Sequence, residues 1–353
     1  MTAITVASAT PDATRLTGPE RVQRAAFTAL GRVPKAILRR LVRSTVNSDG
    51  DVMEPEIAVL MRVAAGAPDF SDGSVAQARA LMETDCRVFA DTSEPVAVDP
   101  DIVLPSGIRA SLYRPKVRSN GLVLFLHGGG FVLGSRKAYD GPAQLIAARA
   151  GVNVLAIEYR LAPESPFPAA LDDAWEAWHF AVERCDGWGI DPERIVLLGD
   201  SAGANLCAVL SNQLQGEALR PRMQVLMYPV IDGVGSYRSR EEFADNPALT
   251  AKQIEWLAEL YLPNAGDRSD PRVSPLLAED LSRVPATVIT VAGFDPLRDE
   301  AIAYAMRLKD FGVPTRVLRE GGLVHGYLSM TRISPAACDA VHRVAAVIGH
   351  ALA

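Results

Sequence analysis

Cysteine is scarce: Cys86, Cys185, Cys207 and Cys338 are the four in 353 residues. They are scattered without metal-ligand or redox spacing, so nothing supports a cysteine-built metal centre, and reduced thiols in a cytoplasmic protein are the expectation. Long apolar runs are missing as well, and no stretch is able to span a bilayer. The first eighteen residues, rich in Ala and Thr, lack a basic start followed by an apolar block and do not read as a secretion signal. Positive charge is in the minority, 36 Lys and Arg against 42 Asp and Glu, for a net charge of −6. That balance argues against nucleic acid and anionic membrane surfaces as partners. Repeats and low-complexity segments are absent, and histidine occurs only five times.

What remains is ample material for a core, with 48% hydrophobic residues. Helical patterns near 19–31, 34–43, 54–65 and 74–89 make residues 1–90 a helical cap segment, in which Arg39, Arg40 and Arg43 read as a solvated helix face. The pattern then switches. Strand-like runs near 94–104, 107–114, 122–127, 153–159, 194–199, 224–229, 286–292 and 315–319 alternate, from the third onward, with helices. Such alternation predicts an α/β architecture, an eight-stranded, mostly parallel sheet flanked by helices over 91–353. The first two runs, joined by Pro105-Ser106-Gly107, predict an antiparallel edge. The excursion over about 231–285, with a helix at 250–261, is expected to be a cap insertion above the sheet, a dimer contact being the other reading.

Gly199-Asp200-Ser201-Ala202-Gly203 follows the apolar run Ile195-Val196-Leu197-Leu198 and precedes a small-residue helix. A strand turning into a helix through Gly-x-Ser-x-Gly lifts the serine oxygen clear of the sheet, which makes Ser201 a candidate nucleophile; a glycine-bounded turn is the alternative. His127-Gly128-Gly129-Gly130-Phe131 follows the strand-like 122–126. Consecutive glycines can turn backbone amides into a cavity where they hold an oxygen that becomes negative. A phosphate cradle would want a following Lys-Ser/Thr or a spaced Gly-x-Gly-x-x-Gly, and neither occurs.

A serine needs a base, and the base an orienting acid. Asp295 lies just past the strand-like 286–292, whereas Asp299 and Glu300 fall where they would cap and begin a helix over 301–311. Among the histidines, His179 and His342 lie in helical patterns, His350 is three residues from the last position and His127 belongs to the glycine loop. His325 sits in the glycine-flanked loop Gly321-Gly322-Leu323-Val324-His325-Gly326 and is the candidate base. The chain order Ser201, Asp295, His325 is that expected of α/β-hydrolases.

Taken as a set, His127-Gly128-Gly129-Gly130, Tyr159-Arg160-Leu161-Ala162-Pro163-Glu164 with Phe167-Pro168-Ala169-Ala170, Gly199 to Gly203, Asp295 to Glu300 and His325-Gly326 resemble the hormone-sensitive-lipase-like bacterial esterases over residues 90–350. The resemblance implies the α/β-hydrolase fold, a Ser201-Asp295-His325 triad, and an oxyanion hole from Gly129, a neighbouring glycine (Gly128 or Gly130) and Ala202. It also implies a cis bond before Pro163 or Pro168. The expected activity is that of a serine carboxylesterase on short- to medium-chain esters, through an acyl-enzyme, with no metal or organic cofactor. The alternatives are a non-catalytic receptor for a small ligand on the same fold, or an amidase or deacetylase of a specific metabolite. Phe131, Val132, Tyr228, Val230 and Leu297 are expected as pocket walls, or else as core. The expected partner is a small ester, with no nucleic acid or integral membrane contact and with a homodimer as an option.

Overall fold

Strands that are apolar on both faces must be covered on both, and the chain builds its centre from two of these. β3 (Leu122–Leu126) and β5 (Ile195–Asp200) are buried at every position. The computed structural model describes residues 16–90 and 96–353. The remaining strands are β1 (Ala97–Val103), β2 (Arg109–Arg114), β4 (Asn153–Glu158), β6 (Met223–Met227), β7 (Ala286–Phe294) and β8 (Thr315–Val324). They form one eight-stranded sheet in the order β1-β2-β4-β3-β5-β6-β7-β8. All pairings from β4 to β8 are parallel. The β1–β2 hairpin is antiparallel as expected, and β2 also runs antiparallel to β4. Residues 94 and 95 of the first strand-like run lie outside the described residues.

Helices α1 (Gly18–Arg32), α2 (Lys35–Leu41), α3 (Pro55–Ala64) and α4 (Val75–Phe89) form the amino-terminal segment, which also holds an isolated Val46–Val52 bridge that the helical reading missed. The others are α5 (Asp140–Ala150), α6 (Ala169–Trp188), α7 (Ala202–Gln213), α8 (Arg238–Glu242), α9 (Ala251–Tyr261), α10 (Arg298–Asp310) and α11 (Pro335–Ala351). Alternation along β3 sends Leu122, Leu124 and Leu126 into one hydrophobic layer and Val123 and Phe125 into the other. In this way one sheet supports two cores, α6, α7 and α10 covering one face and α5 and α11 the other.

Helix α10 starts at Arg298 with no side-chain cap, so the expected capping role for Asp299 and Glu300 is corrected. Both acids reach instead to the 231–285 insertion. Asp299 accepts from the Ser239 amide (2.8 Å), while Glu300, fully buried, accepts from the Ile231 amide (2.8 Å) and pairs with Arg240 (2.6 Å). The insertion also touches the amino-terminal segment. Gln253 of α9 donates to Asp69 (3.1 Å), Trp256 packs edge-on against Phe70, and Ser48 donates to Glu242 through its amide (2.7 Å).

Candidate active site

The β5–α7 turn is tight because two glycines leave room for backbone on backbone. A Cβ at Gly199 would overlap the carbonyl of Gly203, and one at Gly203 would overlap that of Leu126. Between them Ser201 is forced to φ 52°, ψ −117°, a conformation that side-chain-bearing residues rarely adopt. The other described non-glycine residues with positive φ are Phe131 and Tyr228, and both border the same place, as strained residues at functional sites commonly do.

Asp295 follows β7 directly and His325 follows β8, so parallel strands deliver both to the carboxyl edge beside Ser201. His325 Nε2 lies 3.0 Å from Ser201 Oγ, and Nδ1 lies 2.9 Å from Asp295 Oδ2. Asp295 has no exposed surface, and its other oxygen accepts from the Leu297 amide (2.8 Å). Because Asp295 accepts at Nδ1, that nitrogen carries the proton and Nε2 is free to accept from the serine. Burial alone would pull the His325 pKa down. The Asp295 charge and hydrogen bond outweigh it and leave the pKa above the ordinary histidine value.

The glycine loop has a less obvious architecture. The Gly128 amide donates to Asp200 Oδ1 (2.8 Å), so Gly128 is corrected as an oxyanion donor: its N–H is already committed. The amides of Gly129, Gly130 and Ala202 meet no acceptor among the described residues, which leaves three donors near the serine. Asp200 is buried and is also approached by the hydroxyls of Tyr139 (3.1 Å) and Tyr228 (3.4 Å). Burial raises its pKa to about 6, against the pull of those hydrogen bonds. His127 donates from Nδ1 to the Gly128 carbonyl (2.7 Å) and stacks on Tyr159, whose hydroxyl donates to the His127 carbonyl (2.7 Å). Burial lowers the His127 pKa to about 4, so this imidazole stays neutral and serves the loop's shape.

The 159–164 motif holds the loop from behind. Arg160 grips buried Asp173, and Arg79 of α4 donates to the carbonyls of Val132 (2.8 Å) and Ala162 (2.9 Å) while pairing with Glu164 (2.7 Å). Both Ala162-Pro163 and Phe167-Pro168 are cis.

Of the five residues expected as pocket walls or else as core, Val132 (0% exposed), Tyr228 (1%) and Leu297 (1%) take the core reading and not the pocket one, since they have no surface to offer a ligand. Val132 and Leu297 are packed into the interior; Tyr228 packs edge-on against His325 and accepts from the Leu328 amide (3.2 Å). Phe131 stacks on Tyr261 of α9 with centroids 3.9 Å apart, and Val230 keeps partial exposure. Leu257 was missed by sequence reasoning: a Cβ on Gly130 would come within 2.5 Å of its Cδ1, so helix α9 of the 231–285 excursion sits directly over the glycine loop. Its one sequence signal is its place on an amphipathic helix in an unusually long excursion. Arg79 gave no signal, because nothing local relates α4 to residue 132.

A family model described as the alpha/beta hydrolase fold matches residues 123–329. Among relatives, an ethyl acetate hydrolase of Pseudomonas putida is 40% identical over 228 residues, covering 63% of this chain and 72% of the relative. The carboxylic ester hydrolase LipN of Mycobacterium tuberculosis is 37% identical over 298 residues, covering 81% and 79%. The solved structure of a hyperthermophilic esterase from the archaeon Pyrobaculum calidifontis superposes with a TM-score of 0.79 at 35% identity, covering 84% of this chain and 97% of that one. By these matches the chain belongs to the α/β-hydrolase fold family, in its hormone-sensitive-lipase-like branch of carboxylesterases.

Proposed function

We propose that the protein is a serine carboxylesterase in which Ser201, His325 and Asp295 form the triad, and Gly129, Gly130 and Ala202 the oxyanion hole. The observation that carries this is the unbroken 3.0 Å and 2.9 Å relay from Ser201 Oγ through His325 to Asp295, beside three uncommitted amides. His325 takes the serine proton as Oγ attacks the ester carbonyl, and Asp295 stabilises the imidazolium that results. The oxyanion then accepts from the free amides, each donor lowering the barrier by about 3 kcal/mol. His325 returns the proton to the departing alcohol, and water repeats the cycle on the acyl-enzyme to release the acid.

The amino-terminal segment 1–90 and the insertion 231–285 together act as a cap in this reading, supported by Leu257 over Gly130 and by the α9 contacts to Asp69 and Phe70. Substrates are short- to medium-chain esters in this reading, and the relative named for ethyl acetate supports the short end of that range. A cytoplasmic location belongs to this reading and is supported by the four free cysteines; no helix among the described residues is long and apolar enough to cross a membrane.

A panel of nitrophenyl esters from acetyl to palmitoyl, with the acetyl anilide beside it, tests the assignment. Turnover is expected to peak at the acetyl or butyryl ester and to be negligible on the anilide. Ser201→Ala is expected to lower kcat by about 10⁶ with the thermal midpoint unchanged. Retained turnover in that variant would remove the assignment.

A further inference from the structure

Charge is unevenly placed along the chain. Residues 16–43 hold Arg21, Arg24, Arg32, Lys35, Arg39, Arg40 and Arg43 against one acid, Glu20, a net +6 in a chain of net −6. All of these basic residues except Arg24 are exposed, and Arg21, Arg32, Arg39, Arg40 and Arg43 form no ion pair among the described residues. The overall acidity that argued against anionic surfaces therefore hides a local excess of the opposite sign.

Phe27, Leu30, Leu38 and Val42 of this basic region face the core, but a second set of its apolar residues is turned outward. Helix α1 is fastened to the protein by one side, through Glu20 on Arg87 (2.8 Å) and Phe27 edge-on against Phe89. Val22, Ala25, Ala26 and Ala29, at i, i+3, i+4 and i+7, occupy the opposite side and are all exposed, Val22 at 71%. On α2, Ile37 (49% exposed) and Leu41 (64%) stand one turn apart. Ala25, Ala29, Val33 and Ile37 line an open groove of about 760 Å³ between the two helices, with Arg21 and Arg32 among its walls. An amphipathic helix in a globular protein normally turns its apolar stripe to the core.

We propose that α1 and α2 form a docking surface for an anionic phospholipid membrane. Val22, Ile37 and Leu41 enter the headgroup boundary, and the unpaired arginines lie on lipid phosphates. A second copy fits this face poorly, because a two-fold contact would set five unpaired arginines against their own equivalents. A nucleic acid would match the arginines but leave the apolar stripe in water.

Co-sedimentation of the full chain with vesicles tests this independently of the catalytic reading. Binding is expected to vesicles of mixed phosphatidylcholine and phosphatidylglycerol, to weaken with added salt, and to be absent on phosphatidylcholine alone. At roughly fivefold per cation, Arg21→Gln, Arg32→Gln and Arg39→Gln combined should weaken partitioning about a hundredfold. Val22→Ser, Ile37→Ser and Leu41→Ser combined should also weaken it, without changing its salt dependence. Both variants should keep wild-type circular dichroism and turnover of soluble nitrophenyl acetate. Equal binding to both vesicle types, no binding, or unchanged binding by either variant overturns the proposal. So do a dimer in size exclusion that both variants dissolve, retention on heparin without vesicle binding, and vesicle binding gained only when residues 1–15 are removed.

Discussion

Of the 12 residues of α7, ten, Ala202 through Ser211, are buried, whereas α1 buries Glu20 alone of its 15. The first helix is held on every side by the sheet and its neighbours, so its residues are small and its entry angle is set by close backbone contacts. The second is held along one edge, and its composition answers to whatever meets its outer side. A site that must place a hydroxyl within a few tenths of an ångström belongs on an element of the first kind. A surface that must adapt to a partner belongs on the second.

The contrast is most severely tested at Gly203. Gly203→Val sets a branched side chain against the Leu126 and His127 carbonyls, and neither backbone has room to retreat. Soluble yield and the thermal midpoint should both collapse, the loss of folding free energy exceeding about 4 kcal/mol. Asp295→Asn then separates chemistry from packing within the buried region. Its kcat should fall by about 10⁴ because the amide no longer fixes the productive imidazole tautomer. In the wild type, kcat/KM should fall as pH drops through a value above the ordinary histidine pKa, since His325 must be neutral to accept the proton and Asp295 favours the charged form. In the variant, burial acts unopposed by that charge, and any residual activity should persist to lower pH.

Asp200→Ala leaves the Gly128 amide without its acceptor, a loss of about 1 to 3 kcal/mol readable by chemical denaturation. Slack in the glycine loop should show as a lower kcat with KM little changed. At the far end, Val22→Ala on the open side of α1 should shift stability by less than about 0.5 kcal/mol. A larger destabilisation there would mean that α1 is packed against something on its outer side, and the comparison would fail.

The order of strands and helices was legible because period and punctuation are local: β3 and β5 read as unbroken apolar runs, and Gly199 and Gly203 marked the elbow. Ser201, Asp295 and His325 could be chosen because parallel strands carry the residues at their carboxyl ends to one shared edge. The tasks of Asp200, Arg79, Glu300 and Leu257 could not be read, since each depends on a partner 53 or more residues away in chain order or on a helix crossing over a loop. The same limit explains why Gly128 could not be told from Gly130 as the second glycine donor until the Asp200 carboxylate was placed.

By itself, then, the amino-acid order determined the sheet-and-helix alternation and the serine turn, which stem from nearest-neighbour sterics and hydrophobic period, and it singled out Asp295 and His325 as the acid and base candidates by their places after two strands. Only the tertiary structure decided which amides stay unclaimed, which apolar residues lie in the core, and which side of α1 faces outward. Those depend on hydrogen-bond partners and on burial, and both are properties of how distant segments pack rather than of any segment alone.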